Sequence, residues 1–210
     1  MLAWWLATAA LFYFAFPNQV GWLWQLNERY AILAALLGPA LLRPAPGVRG
    51  AAPLLLVAAT ACFAAGTAVR QVRAFDREVG SFDRVLSHAQ PGQRLLGLIY
   101  AQSSRFAKFA PFLHFGSYYR ARHGGVAEYS FARLPQSPLR YRPESAPPSK
   151  PAYTEWLPSS FLNSREGPYY DYVLVRGTVN PFARNPAGPA WRLVASQGDW
   201  ALFERASPAR

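Results

Sequence analysis

The pattern of apolar and polar positions changes abruptly near residue 70. Long runs before this point carry no charge, and the few charged residues there are Glu28, Arg29, Arg43 and Arg49. From Arg70 onward, charged and polar residues interrupt the apolar ones every few positions. The pattern predicts membrane-spanning helices over 1–69 and one extramembrane domain over 70–210, which is long enough to bury a single core.

Two uncharged segments are candidate spans. Segment 51–69 is long enough to cross the hydrocarbon core as a helix, and its Pro53 falls in the first turn, where it removes no hydrogen bond. Segment 1–16 carries Trp4 and Trp5, which suit a membrane interface. A signal peptide is the alternative for 1–16, but the segment lacks a basic start and a small-residue cleavage site.

A third apolar segment, 30–42, is shorter and contains Gly38-Pro39, which should bend a helix. It either extends back to Leu26 and spans the bilayer, or it is re-entrant. The expected fold is therefore a membrane protein with about three N-terminal transmembrane helices followed by a mixed α/β extramembrane domain.

Short loops predict the orientation. Arg43 and Arg49 lie between the second and third predicted spans without a nearby acid, so the positive-inside rule places this loop in the cytoplasm. The N-terminus is then cytoplasmic, and the domain after Val69 is extracytoplasmic. We expect a multi-pass protein of the inner (cytoplasmic) membrane, with the lipid bilayer as its first partner.

Beyond the predicted spans, apolar spacing indicates an α/β domain. Phe75, Val79, Phe82 and Leu86 are four, three and four positions apart, which places them on one face of a helix that should end at Pro91. The remaining predicted elements are strands at 94–100, 126–133 and 170–176, a helix at 111–122, and a terminal hairpin of 191–195 and 200–205.

Two further features complete this domain. Segment 134–158 carries seven prolines, and a long loop of this kind inside a compact domain is either functional or disordered. Trp191, at the start of the hairpin, is expected to be a large buried core aromatic.

Charge and cysteine content narrow the possible partners. The net charge is +11 and the pI is about 10.3. The basic residues are scattered, so we expect attraction to anionic headgroups rather than a nucleic-acid partner.

Cys62 is alone, which excludes an intramolecular disulfide and a cysteine zinc site. Dinucleotide, P-loop, nucleophile-elbow and zinc-protease motifs are absent from the sequence, so no cofactor and no metal are expected.

Five sequence blocks carry a resemblance to a known family. They are PNQVGWLWQLNERYAILAALLGPALL, PGQRLLGLIY, FLHFGSYY, YYDYVLVRG and WRLVASQGDWALFERA. The first resembles the late membrane helices of multi-spanning bacterial glycosyltransferases of the C-class fold, which use lipid-linked sugars. The other four resemble the extracytoplasmic tail domain of these proteins and of their uncharacterised relatives.

The resemblance has one departure with a functional consequence. Those enzymes carry a catalytic acid in the first outer loop, near the N-terminus of a much longer chain. Here the corresponding loop offers only Glu28, beside Arg29, at a place that matches a late loop. The resemblance therefore implies a membrane-anchored, non-catalytic portion whose outer domain contacts an acceptor, a polyprenyl-phosphate-linked sugar or an envelope protein. The alternatives are a structural or interaction protein that binds another envelope protein, and an enzyme of its own kind.

The candidate ligand site is the cluster of His114, Tyr118, Arg120 and Arg122. Arg and His can hold a phosphate, and Tyr can stack on a sugar. If 111–122 is one helix, His114, Tyr118 and Arg122 share one stripe and the more apolar Phe112, Phe115 and Tyr119 face the core. The alternative is a helix with an aromatic core face and a solvated basic face.

Two other charged positions are weaker candidates. Arg29 beside Glu28 could bind a lipid phosphate, and the alternative is an interfacial ion pair. Asp171 could act as an acid or base, or it could cap a turn or pair with an arginine.

The orientation can be tested with a reporter that is active only outside the cytoplasm. Because Arg43 and Arg49 should hold their loop inside, a fusion after Arg210 should be active and a fusion at Pro46 silent. The reverse pattern of activity would contradict the predicted orientation.

Overall fold

The computed structural model describes residues 2–15, 48–130, 153–183 and 187–206, together with 17, 19–20, 23–24, 30, 32, 35, 132, 137–143 and 146–148. The chain divides into two compact units, Met1–Val69 and Arg70–Arg210. The boundary between the units coincides with the change in charge pattern along the sequence.

The first unit contains helix α1 (Leu2–Ala15), a small antiparallel pair of β1 (Gln19–Val20) and β2 (Leu23–Trp24), and the start of α2 (Val48–Val79). Predicted span 1–16 is thus helical over 14 residues, and 51–69 lies wholly within α2. The third predicted span, 30–42, lies outside the described residues except for three positions.

One helix in the described part of the chain, over Leu54–Val79, is long and apolar enough to cross a membrane by length and composition. Its large apolar side chains, among them Leu55, Leu56 and Phe63, are exposed. A helix that is apolar all round requires either a protein core or lipid around it. Three spans, and the membrane location itself, stay predictions.

The second unit is built on a mixed five-stranded sheet in the order β4-β3-β5-β7-β6. Its strands are β3 (Arg94–Ile99), β4 (Val126–Ala127), β5 (Tyr172–Arg176), β6 (Trp191–Gln197) and β7 (Trp200–Arg205). Strand β3 is parallel to β4 and β5, whereas β7 is antiparallel to β5 and β6. All five residues of β5 are buried, as expected for a strand that is covered on both faces.

Short helices and irregular segments cover the two faces of the sheet. They include α3 (Phe82–Leu86), α4 (Ser117–His123), α5 (Tyr153–Trp156) and α6 (Asn163–Glu166), with 3₁₀ turns at Pro158–Ser160 and Gly167–Tyr169. One core cluster joins α3 and the residues around α4 to the sheet, and it includes Phe82, Phe112, Tyr119 and Trp200. The other includes Phe161, Tyr170 and Val173, and Trp191 packs at its edge.

The predicted amphipathic helix is divided in two. Helix α2 ends at Val79 and α3 begins at Phe82, because Gly80 adopts a left-handed φ of 62° that ends the first helix. The apolar spacing nevertheless predicted correctly which side chains face the core. Phe82 and Leu86 are buried, and Phe75 packs against the same core.

Two other predicted elements, one helix and one strand, are shorter in the structure than the sequence predicted. The helix predicted at 111–122 begins only at Ser117, and the residues before it form turns with bonds such as Phe115 N–H to Phe112 O (3.1 Å). The strand predicted at 126–133 ends at Ala127, because the chain turns away after the Glu128 N–H bonds to Leu95 O (3.2 Å).

The strands predicted at 94–100 and 170–176 are confirmed as β3 and β5, and the terminal hairpin is confirmed with β6 and β7 joined through Gly198-Asp199. Trp191 is only partly buried, which corrects its expected role. Its ring stacks on Phe182 (5.2 Å), and its Nε1–H donates to Asn163 Oδ1 (2.7 Å). Of the three tryptophans in the second unit, the fully buried one is Trp200.

We expect the chain truncated to residues 70–210 to fold and to give a mixed α/β circular dichroism spectrum. Within it, Trp200→Ala should lower the free energy of unfolding by about 3–5 kcal/mol, because it leaves a cavity in the core. Trp191→Ala is the matched control and should cost less, since its ring is only partly buried. Denaturant titration measures both, and equal losses would contradict this assignment of the core.

Candidate functional site

A cleft beside α4 is the candidate site that the described part of the chain offers. Its walls are α4, the turn before it and the segment after β4, and its volume is about 570 Å³. We call it the His114 cleft. Its lining includes His114, Ser117, Arg120, Tyr129, Ser130 and Leu139.

A glycine turn brings the two walls of the cleft together. Gly125 has a φ of 77°, and a Cβ at this position would clash with the Gln93 carbonyl oxygen, so glycine alone fits. The chain reverses here and pairs β4 with the start of β3. The reversal returns Tyr129 and Ser130 to the side of α4 on which Arg120 lies.

Cationic and aromatic groups are held by direct contacts in the cleft. The His114 ring lies on the Tyr129 ring, with centroids 4.2 Å apart and planes inclined by 32°. Arg120 Nη1 donates to Ser130 Oγ (2.8 Å), which orients an otherwise exposed guanidinium. The Ser117 residue and the buried Glu128 line a small adjoining cavity with His114.

This combination of groups offers the chemistry that an anionic ligand with an apolar face would require. A guanidinium offers paired N–H donors to phosphate oxygens, and flat aromatic rings offer apolar faces. The volume falls within the usual range for small-ligand pockets. Among the residues that the structure describes, no group of three or more His, Cys, Asp or Glu residues is placed so that it could hold a metal ion.

The predicted cluster is divided between two surfaces. His114 and Arg120 line the cleft, whereas Tyr118 packs on Phe82 of α3 (5.8 Å) and Arg122 pairs with Asp83. The predicted common stripe of His114, Tyr118 and Arg122 is wrong, because His114 precedes the helix and lies in a tighter turn.

Phe112, Phe115 and Tyr119 are buried, as predicted. Arg29 lies outside the described residues.

Asp171 is an ion-pair partner in this structure. Its Oδ2 accepts from Arg94 Nε (3.0 Å) and from the Arg94 backbone N–H (3.0 Å), while its Oδ1 accepts from Arg205 Nη2 (2.8 Å). The hydrogen bond to Asp171 raises the pKa of Arg94, against the opposing effect of burial. The alternative that Asp171 pairs with arginine is therefore confirmed.

Arg176 is a buried arginine that the pattern of apolar and polar residues did not predict. The side chain of Arg176 is only 3% exposed, and its guanidinium carbon lies 3.4 Å from the Phe112 ring centroid and 5.6 Å from that of Trp200. Its Nη1 donates to the Ala101 carbonyl, and its Nη2 lies 3.5 Å from Asp199 Oδ2. Burial lowers the pKa of Arg176.

The remaining nitrogen of Arg176, Nε, has no hydrogen-bond partner among the described residues. One local feature indicates this burial, because the arginine ends the otherwise unbroken apolar strand YVLVR. Its aromatic partners come from distant segments and could not be identified from spacing alone.

Comparison of the chain with protein-family models, with curated proteins and with solved structures finds no match. The residues and their geometry are therefore the basis for a functional proposal.

Asp171→Asn should lower the free energy of unfolding by about 1.5–3 kcal/mol, because both charge-assisted contacts to Arg94 and Arg205 weaken. Asp83→Asn is the matched control, since the Asp83–Arg122 pair is exposed and should contribute about 1 kcal/mol or less. Denaturant titration of the two variants measures the difference. Equal losses would contradict the structural role of Asp171.

Proposed function

We propose that this chain is a membrane-anchored, non-catalytic partner in lipid-linked sugar metabolism. Its outer α/β domain holds the sugar-phosphate head of a polyprenyl-phosphate-linked sugar, while the lipid tail stays in the bilayer. The observation that carries the proposal is the His114 cleft, where an oriented guanidinium and a stacked pair of rings share one cavity.

The charge and size of the cleft favour a head group of this kind. Arg120 is exposed on the cleft side and forms no ion pair with another described residue, so it can reach a phosphate directly. The hydrogen bond to Ser130 already restricts the Arg120 side chain, so less side-chain entropy is lost when a ligand binds. His114 and Tyr129 supply an aromatic surface next to it for the sugar ring.

The non-catalytic role follows from the chain's departure from the enzymes it resembles. The acid that those enzymes use in their first outer loop has no counterpart at the matching positions here. Asp171, the other candidate acid, is held by ion pairs between two arginines, which indicates a structural role. Ligand holding, rather than sugar transfer, therefore fits the residues best.

An envelope protein is the second candidate partner. Trp156 and Leu157 are adjacent and each more than half exposed, which is the kind of apolar surface that protein partners cover. Loss of binding to a sugar-phosphate and loss of binding to a protein can be separated by variants at the two places.

The test is binding of a polyprenyl-phosphate-linked sugar to the full chain in nanodiscs. Arg120→Ala should weaken binding about tenfold or more, because a charged hydrogen bond to phosphate contributes about 1.5–3 kcal/mol. His114→Ala should also weaken it. Arg165→Ala, an exposed arginine on α6, is the matched control and should leave the dissociation constant unchanged.

Unfolding temperatures should be the same for the Arg120 and Arg165 variants. An equal effect of both variants on binding would mean that the attraction is diffuse charge, and the proposed site would be wrong. Normal binding by both, with partner capture lost on Trp156→Ala, would favour the envelope-protein alternative.

A further inference from the structure

The loop after β3 carries aromatic and basic residues on its outside. Residues 105–109 read Arg-Phe-Ala-Lys-Phe. Arg105 and Lys108 are exposed, Phe106 is 40% exposed and Phe109 is 70% exposed. Alternating aromatic and cationic side chains are characteristic of segments that enter the headgroup layer of a membrane.

The backbone of this loop keeps Phe109 away from the core. Among the described residues, Phe109 and Ala110 are the only non-glycine positions with positive φ, at 64° and 50°. Such conformations are unfavourable for residues with a side chain and persist where surrounding structure imposes them. Three residues later, Phe112 is fully buried. The strained turn therefore separates an outward phenylalanine from an inward one.

Hydrogen bonds fasten the loop to the end of α2. Ser104 Oγ donates to Glu78, and the Arg105 N–H donates to Glu78 Oε1 (3.3 Å). The Phe106 N–H in turn donates to Ser104 Oγ (2.9 Å). The loop is thus a fixed projection, and the Glu78 carboxylate is already engaged by it.

The adjoining helix adds further positive charge. Arg70, Arg73 and Arg77 are exposed and spaced by three and four, on one face of α2. Arg70 and Arg73 are the first two charged residues after the apolar segment, and Arg77 follows Asp76. Ala74, Arg77, Asp199 and the loop line a common surface cavity of about 530 Å³.

We infer that residues 105–109, together with Arg70, Arg73 and Arg77, form a second membrane contact that binds anionic lipid headgroups and inserts Phe106 and Phe109 between them. This inference rests on the membrane anchoring of the proposed function. Five exposed cations complement an anionic surface, and each cation close to such a surface is attracted to it. The contact fixes which side of the outer domain faces the bilayer.

The test places one fluorescent label on the full chain in reconstituted vesicles. In a Cys62→Ser background, Ala107→Cys carries the label between the two phenylalanines, so both side chains remain. Gln90→Cys is the matched control, because it is exposed and precedes β3, whereas the loop follows the other end of that strand. Vesicles contain phosphatidylcholine alone or in equal parts with phosphatidylglycerol, plus a headgroup-level quencher lipid.

In vesicles with phosphatidylglycerol, the label at 107 should be quenched several-fold more than the label at 90. Arg105→Gln with Lys108→Gln should reduce that quenching by half or more. Equal quenching at the two positions, or quenching at 107 that is the same without phosphatidylglycerol, would overturn the inference. Flotation separates the two proposals. A chain that does not float with vesicles overturns both, whereas one that floats without quenching at 107 overturns only this contact.

Discussion

The α/β unit, Arg70–Arg210, depends on one buried cation. Arg176 lies where three segments meet: the loop after β3 through Ala101, the approach to α4 through Phe112, and the β6–β7 turn through Asp199. Removing a guanidinium from water costs several kcal/mol, and a single distant carboxylate offsets little of that. The two aromatic faces and the carbonyl acceptor supply the remaining stabilisation. These partners must therefore be assembled together, which couples segments far apart in sequence.

That assembly also determines which side chains remain available for a ligand. Phe112 lies under the guanidinium and Phe115 packs beside Trp200, so the turn before α4 is fixed by its apolar residues. His114, between them, is directed to the opposite side and lines the cleft. Trp200 in turn donates its Nε1–H to the Val79 carbonyl (2.8 Å), which satisfies an acceptor at the end of α2. The core thus places both the cleft and the end of the long helix.

The sequence predicted those elements whose signal is local. Strands β3 and β5 are unbroken apolar runs, and the hairpin has matched strands around a glycine turn. The prediction failed where local spacing is ambiguous, because a turn with a period of three and a helix with a period of 3.6 bury nearly the same residues at first. Because α4 begins only at Ser117, His114 does not share a helical face with Tyr118 and Arg122. The cation–π contacts of Arg176 depend on the tertiary fold and have no local signal.

The two outermost strands of the sheet are unsuited to pairing with another chain. Strand β4 offers only two residues, and β6 is irregular between Leu193 and Ala195 and carries the exposed Arg192. Short, bulged or charged edges prevent sheets from adding further strands. Many copies can consequently be crowded side by side on one surface without joining edge to edge, so local abundance carries little risk of aggregation through this sheet.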